Sequence, residues 1–127
     1  MGNENGSQNL DILCAENGRS LARIDKMEER IINAALAVLE EQGPYAMLLY
    51  LKARHGKTFS EAEKVFKALL KGAFQHNEVN DPSDVFTMIK NLAQNLDDLL
   101  FARDLLLSAL IYARYHLKAQ KGGEVAS

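Results

Sequence analysis

The stretch Leu99–Ala113 is apolar at every position except Arg103, Asp104 and Ser108. A membrane-spanning helix needs about 20 mostly apolar residues, and this run is too short and too charged for one. A helix that is apolar nearly all round must instead be enclosed by other helices. The rest of the chain has to supply them. It has eight Gly and two Pro, and five of the Gly fall in the first 18 or last six residues. So few turn residues in the body argue against a many-stranded β fold. A chain of 127 residues suits one domain. With 47% apolar and 25% charged residues it has the composition of a soluble globular protein. Aromatic residues are 7% and Trp is absent, so the core is expected to be mostly aliphatic.

The spacing predicts an all-α bundle of about five helices over residues 19–121. Residues 1–18, rich in Asn, Gly, Glu, Gln and Ser, read as a disordered tail with Leu10, Ile12 and Leu13 as a touch point. Residues 122–127 read as a frayed end. The first helix is expected from Ser20 to Gln42, on the stripe Leu21, Ile24, Met27, Ile31, Ala34, Ala35 and Val38. Gly43 ends it, and Pro44 opens a short apolar second helix that stops at Gly56. Ser60 and Glu63 read as a capping box opening a third helix, which runs to about Gln75. Residues 76–82 read as a loop. Pro82 and Asp84 suit the start of a fourth helix with the stripe Val85, Ile89, Leu92 and Leu96. A fifth helix covers about Leu96 to Lys121 with Asn95 as its cap, after a break or bend near 95–98.

The ends and the cysteine count bound the compartment. The single Cys14 cannot form an internal disulfide, so a stapled secreted scaffold is not expected. The N-terminus lacks the basic and apolar regions of a signal peptide. Gly6 stands where a myristoylation signal wants Ser or Thr. The expected location is cytoplasmic, with no membrane attachment.

The net charge is −2, but it is banded. Residues 1–42 carry −4, residues 43–77 carry +4, residues 78–104 carry −4 and residues 105–127 carry +2. The basic band is Lys52, Arg54, Lys57, Lys64, Lys67 and Lys71. A basic stripe along one helix is the footprint of phosphate-backbone binding. It is also what an ordinary solvated helix face looks like, because Lys is a good exposed helix residue. Only Tyr50 and Phe59 lie near the band, so stacking on bases is not suggested. A banded molecule can also stack on its own copies, basic face against acidic face.

No catalytic pattern stands out. His55, His76 and His116 have no Cys, Asp or Glu at metal-ligand spacing, and no metal or other cofactor is expected. Glu28/Glu29 and Glu40/Glu41 do not extend to the EExxE cluster of a helical nucleotide pyrophosphatase, because Ile32 and Pro44 occupy the third acidic position. The segment ALIYARYHLKA resembles the last helices of HEPN-type ribonucleases. Their Arg-to-His spacing is missing here: Arg114 is two residues from His116, and Arg103 has no His at the right distance. No small-molecule substrate is indicated.

Two stretches carry a family resemblance: INAALAVLEEQGPYAMLLYLKARHG at residues 32–56 with Ile31 before it, and DDLLFARDLLLSALIYARYHLKA at residues 97–119. Together they resemble the small all-helical subunits of CRISPR effector complexes, nearest to the type I-A small subunit, with the type III-B one more distant. The match covers about half the chain and has no sharp motif. The resemblance implies a non-catalytic subunit of an antiviral, RNA-guided, DNA-targeting complex. Its partners would be the other effector subunits, the guide RNA, a DNA backbone and copies of itself. It transfers no functional residue individually, so the site assignment rests on charge. The alternative is a protein-only adaptor or dimerisation module, with an apolar surface patch at Tyr45, Leu48 and Leu49.

Overall fold

The computed structural model describes residues 2–74 and 84–126, with side chains placed over 10–74 and 84–121. It is an all-α bundle, and among the described residues no strand occurs. The helices are α1 (Gly2–Ala22), α2 (Glu29–Gln42), α3 (Pro44–Arg54), α4 (Gly56–Ala73), α5 (Val85–Leu92) and α6 (Leu96–Ala126). All five other helices touch α6, as the apolar run Leu99–Ala113 requires.

Among the described residues six helices stand where about five were expected, because the segment Ser20–Gln42 is divided. The chain turns at residues 23–28, and Lys26 sits in the left-handed region with φ 66°. Three-residue bonds, Ile24 N–H to the Leu21 carbonyl and Met27 N–H to the Ile24 carbonyl, keep the apolar rhythm through the turn. Periodicity alone could not see the reversal, since Met27 stays buried across it.

The expected tail is corrected from Leu10 onward. There α1 lies along α6, burying Cys14, Gly18, Leu21 and Ala22. The two helices run parallel: the Cys14 thiol reaches the Leu105 carbonyl at 3.8 Å, and Gly18 faces Ala109 to Ala113 one turn further on. A Cβ at Gly18 would lie 2.8 Å from both the Ala109 oxygen and the Ala113 nitrogen, so the approach requires glycine. The small and polar residues that suggest disorder in composition serve here as a packing surface. At the other end α6 continues past Lys121 to Ala126, where a frayed end was expected.

Returning antiparallel, α2 follows α6. Glu29 pairs with Lys118 at 2.6 Å and Lys121 at 3.8 Å, and Arg114 donates to the Asn33 side-chain oxygen at 3.5 Å. Gly43, at φ 97°, joins α2 to α3 as expected, with Pro44 in the first turn. The α3–α4 link is the single residue His55. Gly56, expected to stop the second helix, therefore opens α4, and Ser60, expected to open the next helix, lies exposed in its second turn. The expected capping box is not used. Glu63 instead accepts the Val85 N–H at 3.1 Å, supporting the start of α5. Asp84 caps α5, accepting the Thr87 N–H at 2.9 Å. The expected break between the last two helices occurs at residues 93–95, and Asn95 accepts the Asp98 N–H at 3.1 Å. Leu96, expected on the buried stripe, lies outside at 68% exposure, because the break turns it away from Leu92. Pro82, His76 and the loop expected over 76–82 lie outside the described residues.

Candidate nucleic-acid interface

The six residues of the basic band do not form one patch. Lys52 and Arg54 are two positions apart on α3, so their side chains point about 160° apart. Lys52 leans over the Phe86 ring of α5 at 5.4 Å, whereas Arg54 folds back over Tyr50 at 6.0 Å. Tyr50 also meets His55 edge-on at 6.1 Å.

On α4 the arrangement is more regular. Phe59, Ala62, Phe66, Leu69 and Leu70 face the core. Lys57, Lys64 and Lys71 are exposed and recur every seven residues, so they share one outward ridge with about 10.5 Å between neighbours along the axis. Lys67 is half-buried on the flank. The expected basic stripe is thus narrower on α4: Lys57, Lys64 and Lys71 form the ridge, and Lys67 stands beside it. One acid stands on it, Glu61, 3.8 Å from Lys64 with both side chains exposed. Such a pair is worth little and leaves Lys64 available.

Beside the ridge, Lys52, Gly56, Phe59, Ser60, Glu63, Asp84 and Phe86 line an open cleft of about 400 Å³. Its charge is mixed. The Asp84 carboxyl is held below its ordinary range chiefly by the Thr87 N–H bond, with Lys52 and Lys90 adding to this. Glu63 and Asp84 both serve the start of α5, so the cleft is poorly suited to phosphate. Two of the cation–ring contacts lie at its Phe86 end: Lys52 over Phe86, and Lys90 5.7 Å over Tyr45, which meets Phe86 edge-on at 5.3 Å. Sequence reasoning missed Lys90 and Phe86, because Lys90 was averaged into an acidic segment and Phe86 sits on the far side of a long connection. A cation in the last turn of an eight-residue helix was the available signal.

The expected partner patch is corrected as well. Leu48 is fully buried, because it falls on the core side of α3 with Met47 and Leu51. Tyr45 and Leu49 remain exposed but are no longer continuous through Leu48.

Three other titratable groups, Glu29, Tyr112 and Cys14, are perturbed by contacts between helices. Glu29 is held below the usual carboxylate range by the Lys118 bond above all. The Tyr112 hydroxyl, which donates to Asp11 at 3.0 Å, is pushed up by that bond. Burial, then Asp11, raises the Cys14 thiol. Among the described residues no group of three or more His, Cys, Asp or Glu could hold a metal ion, and no helix is long and apolar enough to cross a membrane. No family model, curated protein or solved structure matches the chain.

Proposed function

We propose that this chain is a non-catalytic helical subunit that holds a nucleic-acid strand by its phosphates, acting as the cytoplasmic small subunit of an RNA-guided CRISPR interference complex. The observation that carries the reading is the outward ridge of Lys57, Lys64 and Lys71 on α4. Its spacing of about 10.5 Å lets each ammonium group reach a different phosphate of one strand. A row of flexible ammonium groups at that interval can follow a backbone without reading bases. The resemblance supplies the setting. Its two stretches fall on α2–α3 and on α6, and α2 packs directly against α6.

The test is the salt dependence of DNA binding by the assembled complex. Replacing Lys57, Lys64 and Lys71 together by Ala should lower the log–log slope by about two to three units. A Lys52→Ala/Arg54→Ala variant should change it less, because those side chains diverge. An unchanged slope in the triple variant would overturn the ridge assignment. Purification of the tagged chain from its native cell without guide RNA would overturn the CRISPR setting and leave the protein-only adaptor.

A further inference from the structure

Among the described residues, the outer side of α6 carries several exposed large apolar side chains. Leu96, Leu100 and Tyr115 are 68%, 48% and 60% exposed. Half-buried Leu107 and Ile111 stand between them on the same side of the helix. The steps from 96 to 100, 107, 111 and 115 are four, seven, four and four residues, the spacing of a helix-docking seam. This stripe faces away from Ala102, Leu106, Ala109 and Leu110, which fill the core. Scattered exposed leucines need no explanation, but a row at helical spacing marks an interaction surface, here interrupted between Leu100 and Leu107 by the paired Arg103 and Asp104.

Charge identifies the occupant. The start of α6 carries Asp97, Asp98 and Asp104, with Arg103 bound to Asp104 at 3.6 Å. Its end carries Arg114, Lys118 and Lys121, with Glu29 of α2 set against the two lysines and Glu124 following in sequence. One end of the stripe is therefore net acidic and the other net basic. A surface of that kind is complementary to itself when reversed. We propose that α6 pairs antiparallel with α6 of a second copy, about a two-fold axis near Leu107. In that register Leu100 meets Tyr115 of the second copy, and Asp97 meets its Lys118. The helix dipoles also oppose favourably in this arrangement.

The stripe is about 29 Å long and one helix, about 10 Å, wide. It can bury only about 300 Å² per copy, well below the roughly 800 Å² of a standard stable interface. The dimer is therefore weak and concentration-dependent, suited to copies already tethered side by side. The inference is independent of the backbone-binding reading, since it uses neither the α4 ridge nor nucleic acid.

Sedimentation equilibrium of the full chain, free of nucleic acid, tests it. Association should appear within the range up to about 1 mM and weaken at least about tenfold in Leu100→Glu. Helix content by circular dichroism should stay unchanged, since Leu100 is exposed. Lys64→Glu should leave association as it was. Orientation is read by oxidative cross-linking: Leu100→Cys/Tyr115→Cys should form covalent dimers, and Leu100→Cys alone should not. A chain that stays monomeric over the whole range, or a Leu100→Glu variant that associates as wild type does, would overturn the interface. Equal cross-linking by the single cysteine would overturn the antiparallel arrangement.

Discussion

The inner side of α6 presents Ala102, Leu106, Ala109, Leu110 and Ala113, none of them exposed, while its outer side presents Leu96, Leu100 and Tyr115, each at least 48% exposed. Both sides are apolar, so hydrophobicity does not tell them apart. Residue size does. The inner strip carries three alanines in line, and Gly18 of α1 is set against Ala109 and Ala113. Small residues let helix backbones come close, so the alanine strip marks the side where neighbours pack. The outer strip of Leu96, Leu100 and Tyr115 has large side chains that no described neighbour buries. Two of the other helices, α3 and α5, have only 11 and eight residues. They are too short to wrap a helix of 31 residues on every side.

The largest expected contrast comes from shortening one leucine on each side. Leu106→Ala should cost about 2–5 kcal/mol, because the cavity cannot collapse among close-packed neighbours. Leu100→Ala should cost less than about 0.5 kcal/mol in the monomer. Urea unfolding at a concentration below dimerisation measures both. Comparable losses would mean that the two sides are covered alike, and the docking face would be lost as an idea.

A second contrast tests the seam between α1 and α6. Gly18→Ala puts a methyl group against backbone atoms of α6, which cannot turn aside, and should cost about 1–3 kcal/mol. Gly72→Ala makes a similar clash, 2.9 Å from a Leu13 methyl. That methyl can rotate away, and Ala is about 1 kcal/mol better than Gly inside a helix. The Gly72 variant should be near neutral or slightly more stable. If both variants lose stability equally, close backbone approach is not what Gly18 provides.

The helical class, the apolar α6, the Gly43–Pro44 junction and the Asn95 cap were all legible in the sequence, because each has a local signal. Four features were not. The turn at 23–28 was hidden because Leu21, Ile24 and Met27 keep helical spacing through it. The docking of residues 10–18 was hidden because Gly18 serves tertiary contact and so looks like linker composition. The pattern at Ser60 and Glu63 resembled a cap, but Glu63 was recruited by Val85, 22 residues away. The basic band was visible as charge, yet its division depended on helix phase. Lys52 and Arg54 separate on α3, while Lys57, Lys64 and Lys71 align on α4. The placement of Leu48 failed for the same reason, since α3 carries no charged residue before Lys52 to set the phase of its first two turns.

The outer face of α6 begins where the chain breaks after α5, and the two caps around that short helix should respond differently to acid. Asn95 starts α6 by accepting the Asp98 N–H, and Asp84 starts α5 by accepting the Thr87 N–H. Replacing either by Ala should cost about 1 kcal/mol at neutral pH. The Asp84 carboxyl is held below its ordinary value, first by the Thr87 bond. A carboxyl whose folded pKa is lowered adds stability above its unfolded pKa of about 3.9 and loses it as pH falls through the folded value. The difference between wild type and Asp84→Ala should therefore shrink on acidification below about pH 4. The Asn95 amide does not titrate, so the cost of Asn95→Ala should persist over the same range. Unfolding both variants in urea at about pH 7 and about pH 3 separates them. If the Asn95 cost also vanishes in acid, the break is not held by its cap, and Leu96 and Leu100 then lie outside for some reason other than where α6 starts.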